Sequence, residues 1–143
     1  MSGATKCPLC GAETVEETSA DRSVVADDGA HLAYQDHLMA CAACGERYYT
    51  HQQSLISSRA RAGVLRQHAD LLTPNAIRAF RQGAGLTQHE LEMLLGTGPK
   101  TVVRWEKGSV CQSRAADRLL RLLMTNSTNL SVLSSRVARA AKR

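Results

Sequence analysis

Two Cys-x-x-Cys-Gly steps set the strongest condition on this 143-residue chain: Cys7-Pro8-Leu9-Cys10-Gly11 and Cys41-Ala42-Ala43-Cys44-Gly45. Each turn points two sulfurs at one place, and the trailing glycine lets backbone amides approach the thiolates. Four thiolates complete a tetrahedral shell, the pattern of a structural rather than a catalytic zinc ion. Cys7, Cys10, Cys41 and Cys44 are therefore expected to hold one Zn2+ per chain. His31, His37 and His51 could replace a thiolate, but four cysteines already fill the shell. A redox role for either pair would need a βαβ context with a helix starting at the motif, and neither is visible. Cys111 stands apart and reads as a small buried or interfacial residue.

The 30 residues between the pairs exceed the roughly 15–20 usual in compact four-cysteine sites, so this interval must fold back on itself. Ser23-Val24-Val25-Ala26 and His31-Leu32-Ala33-Tyr34 flank Asp27-Asp28-Gly29-Ala30, a turn cluster with its glycine at an expected positive φ. Arg47-Tyr48-Tyr49-Thr50 reads as a further strand leaving the second knuckle. Residues 1–50 are thus expected to form a small zinc-clasped β domain. With aromatic residues at only 3%, metal binding worth on the order of 10–16 kcal/mol would replace the core that this segment lacks.

From residue 51 the period changes. Thr50-x-x-Gln53 suggests a capping box, and Ile56, Ala60, Val64, Leu65, Ala69 and Leu72 recur at helical spacing. This predicts a linking helix over 51–72, with Gly63 marking a bend and Arg59, Arg61 and Arg66 on its solvated side. Thr73-Pro74 is an N-cap followed by proline at the first helical position; Ile77, Phe80 and Arg81 carry that helix to Gly83. Thr87 and Glu90 form a second capping box ahead of Leu91, Leu94 and Leu95, and Gly96-Thr97-Gly98 ends the helix. Pro99 restarts the chain, with Gly98 as cap, into a short helix whose inner face is Val102 and Trp105. Two short helices joined by a glycine turn make a helix-turn-helix, expected over 73–127. In the following helix Ala115, Leu119 and Leu122 are expected to face inward, with Arg114, Arg118 and Arg121 on another stripe. A basic amphipathic tail, 128–143, carries Leu130, Leu133, Val137 and Ala141 beside Arg136, Arg139, Lys142 and Arg143.

The segment Leu86-Thr87-Gln88, then Gly96, then Arg104-Trp105-Glu106-Lys107-Gly108 resembles the Cro/lambda-repressor-type (XRE) family. Glu92 stands where that family favours a small residue, and is expected to snorkel or to pair with an arginine. The knuckles, the insert, the linking helix and this motif together resemble the MqsA-type antitoxin family over nearly the whole chain, the last fifteen residues extending past the usual ending. The resemblance implies a homodimer that binds a palindromic operator in double-stranded DNA through its C-terminal domain. It also implies structural zinc in an N-terminal domain that contacts a partner toxin. By the same resemblance Lys100 and Arg104, one helical turn apart, are expected to read bases. Pro99, Thr101 and Gln88 are expected to lie at the DNA, Thr101 and Gln88 on phosphates. Leu123, Met124, Leu130 and Leu133 are candidates for the dimer interface.

The fold class is therefore α+β: a small zinc-clasped β domain followed by an all-α, lambda-repressor-like helix-turn-helix domain. Charge agrees with two roles. Residues 1–60 carry four Lys/Arg against eight Asp/Glu, net −4, and residues 61–143 carry fourteen against five, net +9. The basic half suits a polyanion, while the acidic knuckles argue against an RNA-binding zinc ribbon. No nucleophile elbow or phosphate loop suggests an enzyme. No long apolar run or leader is present, so a cytoplasmic protein without a membrane partner is expected. The function expected is a dimeric transcriptional repressor, the antitoxin of a toxin–antitoxin pair. The alternative is a stand-alone XRE-type regulator whose zinc domain senses metal or touches another protein.

Overall fold

The computed structural model describes residues 5–140. Its elements run β1 (Val15–Val25), β2 (His31–Cys41), β3 (Arg47–Tyr48), α1 (His51–His68), α2 (Pro74–Gly83), α3 (Gln88–Leu95), α4 (Thr101–Lys107), α5 (Arg114–Thr125) and α6 (Ser127–Ala140). The chain divides into two compact units, with the boundary between Leu65 and Arg66, inside α1. No helix among the described residues is long and apolar enough to cross a membrane.

The first unit is built on one antiparallel hairpin, and β2 also pairs with the short β3. Gly29 takes φ +86°, and the Ala26 amide donates to the Ala30 carbonyl at 2.8 Å, closing the turn foreseen at 27–30. From there the pairing runs from Val25 opposite His31 down to Val15 opposite Cys41. The strands are 11 residues each, far longer than the four-residue segments expected. Their lower halves lack an apolar alternation: β1 there is Glu16, Glu17, Thr18, Ser19 and Asp21, and cross-strand pairing carries it rather than propensity. β3, by contrast, is only two residues.

β2 buries Asp36 and Leu38 on one face and Met39 and Cys41 on the other. Asp36 accepts the Tyr49 hydroxyl hydrogen bond and lies 3.4 Å from Arg22 Nε. Burial pushes its carboxyl up, but the hydroxyls of Ser57 and Tyr49 and the Arg22 charge outweigh that and leave it lowered. Ser57 Oγ accepts from the His37 amide at 2.9 Å and donates to its carbonyl at 3.1 Å, tying α1 to β2. α1 runs through Gly63 without a break and ends at His68, four residues before the expected limit. Only part of its capping box is present, the Gln53 amide lying 3.4 Å from Thr50 Oγ1.

The second unit has a core of Ile77, Leu91, Val102, Trp105 and Leu120, flanked by Leu72, Phe80, Leu86, Leu95 and Ala116. The caps expected for α2 and α3 form. Thr73 caps α2, with Pro74 at its first position, and Thr87 and Glu90 close a reciprocal capping box on α3. Two placements differ. The inward stripe of α5 is Ala116, Leu120 and Leu123, one residue on from Ala115, Leu119 and Leu122, and Leu122 is 58% exposed. α4 begins at Thr101, not Pro99, and its N-cap is Lys100 at φ +62° rather than Gly98. α6 packs against α5 and α3, presenting half-buried Leu130, Leu133 and Val137; Ala141, Lys142 and Arg143 lie outside the described residues.

Three buried carboxylates tie these helices together. Glu106 of α4 takes Arg81 of α2 in a fork, Nε to Oε1 at 2.6 Å and Nη2 to Oε2 at 3.1 Å. Gln88 Nε2 of α3 adds a bond to Oε2 at 2.9 Å, and Arg78 Nε lies 3.5 Å away. Asp117 of α5 accepts the Leu72 amide at 2.7 Å, Gln112 Nε2 at 3.0 Å and Arg121 Nε at 2.7 Å. Glu92 of α3 neither snorkels nor meets an arginine. It is 5% exposed, and its Oε1 accepts the Val102 amide at 3.0 Å, so a side chain of one helix caps the start of the next.

Burial pushes the Glu106 and Asp117 carboxyls up, but their donors prevail and both sit below the ordinary range. Unfolded carboxyls titrate near about 4. The stability they supply is thus fully present above that pH and drains away as pH falls through the lower folded values. Denaturation midpoints should accordingly drop between about pH 5 and pH 3, and Glu106→Gln should flatten part of that dependence. At neutral pH Glu106→Gln is expected to cost about 3 kcal/mol, because it strands the half-buried Arg81. Glu92→Ala is expected to cost about 1–2 kcal/mol and Glu92→Gln less, since an acceptor oxygen survives. Chemical denaturation of the single variants reads both.

Candidate functional site

The hairpin register delivers the first candidate site. Cys41 ends β2 opposite Val15, which follows the first knuckle by a few residues. The knuckles repeat one backbone design: the Gly11 amide donates to the Cys7 carbonyl and the Gly45 amide to the Cys41 carbonyl, each at 2.9 Å. The glycines take φ +74° and +75°. In each knuckle the first cysteine amide also donates back across the turn, Cys7 to Ala12 and Cys41 to Glu46.

The four sulfurs lie within 4.8 Å of one another. Cys7 to Cys44 and Cys10 to Cys41 are both 3.7 Å. A zinc–sulfur tetrahedron with bonds of about 2.3 Å has edges of about 3.8 Å, whereas a disulfide needs about 2.05 Å. The donor set therefore fits a metal ion. Cys7 and Cys41 are buried, Cys10 and Cys44 exposed. The Cys44 amide above all, with Thr14 and the Ala43 amide, holds the Cys41 thiol down to about 6 against burial. At Cys44 the Glu46 amide pulls the other way, but burial and the sulfurs of Cys10, Cys7 and Cys41 push the thiol up to about 12. Four neighbouring sulfurs cannot all ionise unless a cation answers them, and these four residues are positioned to bind one.

The second candidate site is the α3–α4 pair. Val102 and Trp105 are buried at 0% and 4%, as expected from their spacing. Lys100 and Arg104 are exposed, and among the described residues their side chains have no partner. Pro99 is exposed and Thr101 half-buried. Gln88 is half-buried with its amide nitrogen on Glu106, so that end of the side chain is occupied within the fold. Of the interface candidates, Leu123 is 3% exposed and Met124 36%; Leu130 and Leu133 are half-buried on α6. Cys111 is half-buried.

Sequence reasoning did not anticipate Glu106, Arg81 and Asp117 as buried ties, or the positive φ at Lys100. A signal for the first was available: a Glu next to the core Trp105 and an Arg one position past Phe80 both fall on inward arcs of their helices. For Lys100 no local sequence signal exists, since glycine or asparagine would be the usual occupant.

No curated protein matches the chain. Over residues 5–132 the sequence matches the family described as the antitoxin component of a bacterial toxin-antitoxin system, MqsA. With the match spanning most of the chain and the four knuckle cysteines gathered as a metal site, this protein belongs to the MqsA antitoxin family.

Proposed function

We propose that this antitoxin is a homodimeric transcriptional repressor that binds palindromic operator DNA through α3 and α4. Its hairpin unit, clasped by one structural zinc ion, engages the toxin. The observation that carries the DNA reading is the contrast within α4: Val102, Trp105 and Glu106 are locked into the core, while Lys100 and Arg104 stand exposed and unpaired among the described residues. A cationic face on a rigidly held helix fits the major groove. Arg104 has the fork that grips guanine O6 and N7 together, and Lys100 suits a base edge or a phosphate. Pro99 and Thr101 lie beside them. Gln88 opens α3, where free amides and the positive helix end favour phosphate. Two copies reading a palindrome place half-site centres about one helical turn, or a multiple of it, apart. Met124, Leu130 and Leu133 supply apolar surface for the dimer, with Leu123 packing beneath it.

Zinc suits the all-thiolate donor set, and bound there it would supply folding energy rather than chemistry. One zinc per chain is the expected result of elemental analysis. Cys10→Ser or Cys44→Ser should lose it, melt the hairpin unit and abolish toxin binding, leaving the helical unit's thermal transition and DNA binding in place. A metal-free protein with an intact hairpin would overturn this assignment.

Arg104→Ala is expected to cost roughly 1–3 kcal/mol on the operator and to relax preference at one base pair per half-site. Retained affinity and discrimination in an anisotropy titration would remove Arg104 from the reading face. Lys100→Gly separates strain from function: it should stabilise the fold by about 1 kcal/mol by relieving the positive φ, yet weaken DNA binding.

A further inference from the structure

We propose that the cleft between α5 and the segment joining α1 to α2 binds a phosphate group. The cleft, of about 270 Å³, is lined by Asp70, Leu71, Arg114, Asp117, Arg118 and Arg121 among others. A water's share of the liquid is about 30 Å³, so a phosphate group with part of its hydration shell fits. Within it Asp117 is already engaged on both oxygens: Oδ1 receives the Leu72 amide and Gln112, and Oδ2 receives Arg121. Arg121 is held at two points, on Asp117 and on the Asp70 carbonyl at 2.7 Å, and therefore contributes a positioned charge with little ordering cost.

Arg114 and Arg118 differ. They sit one turn apart on the same face of α5, are exposed, and have no hydrogen bond or ion pair among the described residues. Arg114 is moreover the first residue of α5, at the helix end whose dipole disfavours cations. Helix stability thus gives no reason for a cation there, whereas an anion in the cleft would meet both guanidiniums and the helix start together. Three guanidiniums face Asp70 and the already engaged Asp117, leaving the cleft net positive. Guanidinium forks match a phosphate's paired oxygens.

The phosphate has two sources: the backbone of bound duplex, which rests on the repressor reading above, or a free phosphate. One set of variants separates them. Full-length wild type, R114Q/R118Q and R114K/R118K are titrated, over a series of KCl concentrations, with duplex from immediately upstream of the protein's own coding region and with a shuffled duplex. The same proteins are melted in inorganic phosphate against chloride of equal ionic strength. For backbone phosphate, R114Q/R118Q loses affinity for both duplexes by the same factor. Its slope of log affinity on log salt shrinks by about 2, about one per lost contact, while R114K/R118K keeps the slope. For free phosphate, the wild type gains melting temperature in phosphate and R114Q/R118Q does not. If neither the slope nor the phosphate shift changes in R114Q/R118Q, or if R114K/R118K loses as much as R114Q/R118Q, the proposal is overturned. Failure of the wild type to prefer its upstream duplex would instead overturn the repressor reading, with the phosphate melt still deciding the cleft.

Discussion

A carboxylate taken out of water costs several kcal/mol unless donors meet it, and the described residues bury four: Asp36, Glu92, Glu106 and Asp117. With aromatics at 3%, large apolar contacts are scarce, and the helices of the second unit are short. Each buried acid recruits donors from a different element. Glu106 gathers α2 and α3 around α4, Asp117 holds the segment before α2 against α5, and Glu92 caps α4 from α3. Such ties are directional where apolar packing is not. They fix the crossing of α3 and α4 by hydrogen-bond geometry, and the proposed DNA-reading surface depends on that crossing being fixed.

The first unit solves the same scarcity differently. Among the described residues its buried apolar side chains are Val24, Ala26, Leu38, Met39 and Ala62 with the two inner cysteines. The sulfur cluster stands in for the missing side chains, the Ser57 bonds fasten α1 to β2, and Asp36 holds Tyr49 just ahead of that helix.

Much of this was legible. Matched knuckles, trailing glycines, a proline after a threonine and a reciprocal Thr–Glu pair are local chemistry, and local chemistry shows in sequence. The four-cysteine cluster and the caps of α2 and α3 sit where those signals put them. What stayed hidden was decided by partners distant in sequence. The acidic half of β1 pairs because β2 lies beside it, not because Glu16 and Glu17 favour strands. The stripe of α5 is displaced by one because Asp117 must turn inward to reach Leu72, which carries Ala116 and Leu120 with it and turns Leu122 outward. Gln88 and Arg81 look like surface residues until Glu106 is in place beside them.

The hairpin also bears on how the metal site is found. Joining Cys10 to Cys41 directly means closing a loop of 30 residues; closing the four-residue turn at Asp27–Ala30 costs about 2 kcal/mol less in chain entropy. Once that turn forms, each successive pair from Val25–His31 to Val15–Cys41 is a neighbour of the last. The second knuckle is drawn to the first by zipping rather than by random search. A polar ribbon with almost no core of its own thus serves as the assembly path, turning a remote four-ligand encounter into a sequence of local steps.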